Sequence, residues 1–428
     1  MFRRPVLALL LGVVARSGSA AAGDSGVPAP IPPPDAAMVA EVATGAREFA
    51  FDLHRRLAAG GGNVFASPYS VSTALAMTTA GARGVTESEL RRVLRLPEGH
   101  GRKYRELVRS VASIPMVPEY DAATKRNVPT LAYRLSIANA IYSQAGWKFL
   151  DSFRIGVAED FFAEFSELDF RKPELARQTI NDWVAKKTND KIKDLMPAGL
   201  PKPDTRMVLA NAIWFRGAWD DEFKEGATTD GPFAIGSGKD VVARMMHRVG
   251  GYAYAETPEA QVLEMPYKSG ETSMVVILPK AKDGLAAVEK SMTGVSFAAF
   301  TAAFGRKRVD LVMPKFQMTS AFDLVGVLKA LGVKAAFDAS QADFSGIAAP
   351  PEELFIGAIL HKAFVAVDEH GTEAAAATAV VMVTRSSVRP EAVPIPFHVD
   401  HPFLFAIRHV PSGAILFLGR VADPTLPN

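Results

Sequence analysis

Fifteen consecutive residues, Gly371 to Arg385 (GTEAAAATAVVMVTR), constrain this chain more than any other stretch, because they suit two incompatible kinds of secondary structure. Ala374, Ala375, Ala376 and Ala377 have the strongest intrinsic helix preference of any residue, whereas Val380 to Thr384 favours a pleated strand. No proline interrupts the run, and Glu373 is its only charge before Arg385. Such a segment can stand out as a loop, coil into a helix or slot into a sheet. The fold around it has to accommodate that choice.

Elsewhere the patterning is more decided. Val42, Phe49, Leu53 and Leu57 recur at helical spacing and predict a first amphipathic helix from about Val39 to the glycines Gly60, Gly61 and Gly62. Ser70 is the expected cap of a helix running through Thr78 to Gly81. Leu135 to Tyr142 alternates as a strand, and Gln178 to Leu195 reads as a helix with Ile180, Trp183 and Val184 on one side. Strands are expected at 207–215, 262–265, 273–278, 308–313, 355–367, 403–407 and 415–421. Helices lead, the middle is mixed without a βαβ rhythm, and strands dominate the end, which is an α+β order.

Composition narrows the function. A chain of 428 residues with 48% hydrophobic and 22% charged residues buries a sizeable core, and a net charge of +2 makes no electrostatic case for nucleic acid. The basic stretch from Arg91 to Arg109 is interleaved with apolar residues and reads as a solvated helical face. Residues 1–20, with Arg3 and Arg4 before an apolar run and small residues from Ser17 to Ala20, read as a signal peptide, which predicts a secreted or extracytoplasmic protein. The apolar run is too short to anchor in a membrane. Residues 21–38 are a Pro/Ala-rich spacer expected to be disordered, leaving 39–428 as the folded domain. With no cysteine there is no disulfide framework. Gly23-Asp24-Ser25-Gly26 imitates an active-serine motif, but it lies in the spacer, away from any scaffold that would supply a base. His398 and His401 lack further ligands at metal-site spacing, and no phosphate loop or nucleophile–base pair stands out. Neither an enzyme, nor a metal, nor a cofactor is expected.

Three segments bear a family resemblance. Asn63-Val-Phe-Ala-Ser67-Pro68-Tyr-Ser70, Asn211-Ala-Ile-Trp214-Phe-Arg-Gly217-Ala-Trp219 and Phe397-His-Val-Asp400-His401-Pro402-Phe403-Leu-Phe405 resemble, in order, three signature segments of the serpins, and Gly419-Arg-Val421 resembles the closing strand. The resemblance spans about residues 40–424. It implies one domain of three β-sheets and eight to nine helices, with an exposed reactive-centre loop at about 371–396. It also implies suicide inhibition of a protease, by a monomer that forms a covalent complex with its target.

Residue by residue, the resemblance makes Gly371, Thr372, Glu373, Ala374, Ala375, Ala376, Ala377 and Thr378 the hinge of that loop. Counting the family's loop length from Gly371 puts the reactive bond at Arg385–Ser386. The residues agree: a trypsin-like protease selects a long cation, Arg385 is the only one between Lys362 and Arg389, and Pro390 protects the latter. The same carry-over makes Ser67, Ser70, Asn211 and His361 a polar gate beneath the central sheet, and Trp219, Lys315 and Glu369 a cluster at its top. His370 departs from the family's usual glutamate or lysine. As an inserted strand, Thr372, Ala374, Ala376, Thr378, Val380, Met382 and Thr384 would share one face, with Glu373 on the other. Two further readings are a non-inhibitory binding or chaperone protein on this fold and an inhibitor of papain-like cysteine proteases.

Overall fold

The computed structural model describes residues 32–121, 124–236, 238–348, 354–373 and 393–426. The first helix, α1 (Ala36–Leu57), starts three residues ahead of the boundary expected from sequence, so residues 36–38 belong to the fold and not to a spacer. Asp35 is the reason: its carboxylate accepts from the N–H groups of Ala37 and Met38 at 3.0 and 3.1 Å, closing the exposed first turn. After strand β1 (Val64–Ala66), helix α2 (Pro68–Thr79) is capped by Ser67 and not by Ser70. Ser67 has the extended backbone of a cap, its Oγ accepts from the Ser70 N–H at 3.1 Å, and Pro68 occupies the first helical position, where no donor is missed.

Helices α3 (Gly84–Leu94) and α4 (His100–Ala112) lead into a hairpin, β2 (Met116–Asp121) and β3 (Arg126–Leu131), that the sequence reading did not anticipate. Then come β4 (Tyr133–Gln144), α5 (Asp151–Phe161), β5 (Glu164–Leu168), α6 (Pro173–Lys187) and β6 (Met207–Ala218). Helix α6 lies upstream of the expected 178–195. It begins on Pro173 and stops at Lys187, because Asn189 and Asp190 take left-handed backbone angles and Thr188 turns its hydroxyl onto the chain around it.

The rest is strand-rich: β7 (Thr229–Ile235), β8 (Lys239–Glu256), β9 (Ala260–Pro266) and β10 (Thr272–Pro279), then helices α7 (Leu285–Ser291) and α8 (Gly294–Ala302). β11 (Gly305–Pro314), β12 (Phe316–Asp323), α9 (Val325–Leu331), β13 (Ala358–Val367), β14 (Gly371–Thr372), β15 (Ile395–His398), β16 (Phe403–His409) and β17 (Ala414–Val421) complete the described order. Nine α-helices and three sheets are present among the described residues, as expected. None of those helices is long and apolar enough to cross a membrane.

The six-stranded sheet, ordered β12-β13-β14-β6-β4-β5, positions the site. Its inner face (Leu209, Ile213, Phe215, Ile359 and Ala363 among others) packs toward α2 and the nine-stranded sheet in the main core. Its outer face carries Ala138, Ala140, Val208, Ala210 and Ala212 under Ile180 and Val184 of α6. Small residues dominate that outer face, so the helix lies close on the strands. A third apolar cluster joins α1, α7 and α8 to the other side of the nine-stranded sheet.

Candidate functional site

β6 and β13 run parallel and pair directly from Val208 with Ala358 to Ile213 with Ala363. Beyond that they separate, and a short strand enters the gap. After β13 the chain turns tightly at Asp368, whose Oδ1 accepts from the His370 and Gly371 N–H groups at 2.9 and 3.2 Å. Gly371 and Thr372 then run back between the two strands, antiparallel to both, opposite Ala218 and Gly217 on one side, with Thr372 opposite Val367 on the other. Only glycine fits at 371, since a Cβ there would lie 2.1 Å from the Gly217 carbonyl oxygen.

Thr372 is buried and faces the core, with its Oγ1 2.6 Å from the Tyr267 hydroxyl. Tyr267 in turn stacks on Trp219 at 4.5 Å between ring centres. Glu373 points to the opposite face, as the alternation of a strand requires. Its Oε1 is 2.6 Å from Lys191 Nζ, while its Oε2 is buried with no hydrogen-bond partner, and burial pushes the carboxyl up. The Glu373 backbone has φ +53°, a left-handed angle and not a strand one. Residues 374–392 lie outside the described residues, and with them Ala374, Ala375, Ala376, Ala377, Thr378, Arg385 and Ser386.

At the top of the sheet Lys315, Glu369 and Trp219 come together. Glu369 is almost fully buried. That burial works to raise its carboxyl, but hydrogen bonds from Lys315 Nζ at 2.6 Å and Thr228 Oγ1 at 2.7 Å outweigh it and hold it below the usual range. Trp219 Nε1 donates to the Asp368 carbonyl at 3.0 Å, tying the turn to β6. His370 sits between Glu222 and Glu225, 3.0 and 2.9 Å from its two ring nitrogens, and these partners raise its pKa against the smaller opposing effect of burial.

Lower in the sheet a buried polar cluster spans three strands. His361 on β13, Asn211 on β6 and Asn139 on β4 are cross-strand neighbours on the core face. Burial drives the His361 pKa down to about 3, so its ring is neutral. Its Nε2 accepts from the Ser67 N–H at 3.0 Å, which leaves the proton on Nδ1 to donate to Asn211 Oδ1 at 2.5 Å. Asn211 Nδ2 donates to Ser70 Oγ and to Asn139 Oδ1, both at 2.5 Å. Ser67 joins this cluster through its backbone, since its hydroxyl donates to the Leu416 carbonyl at 2.6 Å. The His361–Asn211 bond lies across the direct β6–β13 pairing.

Sequence reasoning missed Asn139, Tyr267, Lys191 and Thr228. Asn139 carried a signal: it shares the inward face of its strand with Leu135, Ile137 and Ile141, where a lone amide needs partners. The other three carried none, being ordinary residues brought to the site from distant segments.

A six-stranded sheet with a short strand seated at one end of an otherwise closed strand pair, above a His–Asn–Asn–Ser cluster, defines a class of protein by its architecture. The model of the serpin (serine protease inhibitor) family matches residues 44–424, and the chain belongs to that family. It is 38% identical over 381 residues to an uncharacterized serpin-like protein of Thermococcus kodakarensis, covering 88% of this chain and 84% of that one. Human leukocyte elastase inhibitor is 36% identical over 390 residues, 88% of this chain and 97% of the relative. The crystal structure of human thyroxine-binding globulin complexed with its hormone aligns with a TM-score of 0.78 at 28% identity, covering 91% of this chain and all of that one.

Proposed function

We propose that this serpin inhibits a trypsin-like serine protease, offering Arg385–Ser386 as the scissile bond and inserting residues 372–384 between β6 and β13 once that bond is cut. The protease serine attacks the Arg385 carbonyl, the peptide bond to Ser386 breaks, and the new amine takes its proton from the protease's histidine. Arg385 is then held as an ester, and insertion carries the attached protease away before water completes hydrolysis.

The observation that carries this reading is the position of Gly371 and Thr372 between the two strands, in the register from which insertion continues. Growth of that strand separates Val208–Ile213 from Ala358–Ala363, and with them His361 from Asn211. Ser67, Ser70, Asn211 and His361 act as the gate in this scheme, Trp219, Lys315 and Glu369 as the clasp at the entry point, and Gly371 to Thr378 as the hinge. The leukocyte elastase inhibitor among the relatives supports inhibition in general terms. Residues 1–20 act as an export signal and the inhibitor works as a monomer outside the cytoplasm, without cofactor, nucleic acid or membrane.

A covalent, SDS-resistant complex with trypsin is expected from the full chain and absent from Arg385→Ala. Clean cleavage without a trapped complex overturns inhibition, and complex formation with papain but not trypsin moves the target to cysteine proteases. The likeness to a hormone-binding globulin favours a second reading, a ligand-binding serpin that does not inhibit. Melting before and after loop cleavage separates the two: insertion raises the melting temperature strongly, and a binding protein without insertion melts unchanged.

A further inference from the structure

A polar cavity of about 450 Å³ lies between the hairpin β2–β3 and the ends of β4 and β6. Arg134 and Arg216 line it from directly opposite positions in the β4–β6 register, so both side chains leave the same face of the sheet. Like charges placed this way repel each other and weaken the strand pair. Lys268 lines the same cavity, held there by its backbone N–H, which donates to the Ala218 carbonyl at 2.9 Å. Among the described residues, none of the three makes a side-chain hydrogen bond or an ion pair.

Two carboxylates also line the space. Glu222 is engaged with His370, and Glu119 on β2 forms no ion pair among the described residues. Three cations converging on one cavity are not a consequence of a generally basic protein, since the chain's net charge is only +2.

We propose that this cavity binds a small multivalent anion bearing phosphate or sulfate groups, clamped between Arg134 and Arg216 with Lys268 as the third contact. Guanidinium forks match the tetrahedral oxygens of such groups, and the volume falls within the usual range of small-ligand sites. The floor of the cavity includes Gly217 and Ala218, the residues that pair with Thr372 and Gly371, and Arg216 is the cation nearest in field to Glu373 after Lys191. An occupant draws on Arg216 and adds negative charge beside Glu373.

Isothermal titration of the full chain with pyrophosphate, and separately with a sulfated disaccharide, tests this. One saturable site is expected for at least one probe, weakened about tenfold or more by Arg134→Gln and by Arg216→Gln, and unchanged by Arg102→Gln combined with Arg105→Gln on α4. The probe that binds identifies phosphate or sulfate as the recognised group. Binding that survives both arginine changes, binding that falls with the α4 pair instead, or no saturable binding of either probe overturns the proposal. Arg134 is exposed, so its replacement leaves the fold intact and keeps the test decisive even where Arg216→Gln fails to fold. None of these outcomes depends on whether the protein inhibits a protease.

Discussion

Acid should loosen the polar cluster beneath the sheet, and the effect can be worked from one residue. His361 is buried and neutral in the fold, with its pKa depressed from 6.5 to about 3 by desolvation. Its Nε2 accepts from the Ser67 N–H, so a proton placed there sets two donors against each other. The unfolded chain takes up that proton near pH 6.5 and the native chain does not, so the unfolded state binds more protons throughout the window from about 6.5 down to 3. The contribution is fully present above the unfolded pKa and is lost as pH falls through this window, by up to about 1.4 kcal/mol per unit.

Between pH 7.5 and pH 5 the loss from His361 amounts to about 2 kcal/mol. His409 is likewise buried, with its pKa lowered to about 4 by desolvation, and contributes a similar amount over the same interval. Urea unfolding followed by tryptophan fluorescence at the two pH values measures the total change, to which these two histidines contribute a loss of about 4 kcal/mol. His361→Gln is less stable at pH 7.5, because it disturbs the bonds to Ser67 and Asn211, but it should lose about 2 kcal/mol less on acidification. Equal losses in the two proteins would show that His361 is not the buried neutral group that the geometry requires.

The remaining expectations concern the same strands. Thr372→Arg forces a cation against Tyr267 in a site that is 1% exposed, so the first inserted residue is expelled from the sheet and trypsin should cleave the loop without being trapped; gel analysis of the reaction distinguishes complex from cleaved product. Lys315→Ala leaves the buried Glu369 with Thr228 alone and should cost about 1–2 kcal/mol, between the values for exposed and buried pairs, read as a lower urea midpoint. Asn139→Ala removes an acceptor of both Asn211 and Ser70 and should cost about 1–3 kcal/mol in the same assay.

The chain pointed to its site through short segments that resemble a family, and not through local patterning. The resemblance pointed to Ser67, Ser70, Asn211 and His361, and a hinge of small residues with Glu373 as its one charge suited a segment able to enter a sheet. Boundaries were less legible. Helix α1 began earlier than its apolar periodicity suggested, because one carboxylate, Asp35, decides where the first turn closes. The α6 helix shifted because left-handed residues after Lys187 ended it, while Lys191, just beyond, became the partner of Glu373.

What the sequence determined by itself was therefore local: several of the strands and the first helix, and a composition from Gly371 to Arg385 that suits more than one secondary structure. The tertiary structure decided which faces meet. Periodicity names a face but not its neighbour, so only the folded sheet could put Asn139 beside Asn211 and His361, and Tyr267 under Thr372. The same holds for Arg134 and Arg216, eighty-two positions apart in the chain and side by side across two strands. The seating of Gly371 and Thr372 between β6 and β13 is likewise a tertiary result, since those strands have to diverge before any residue can enter between them.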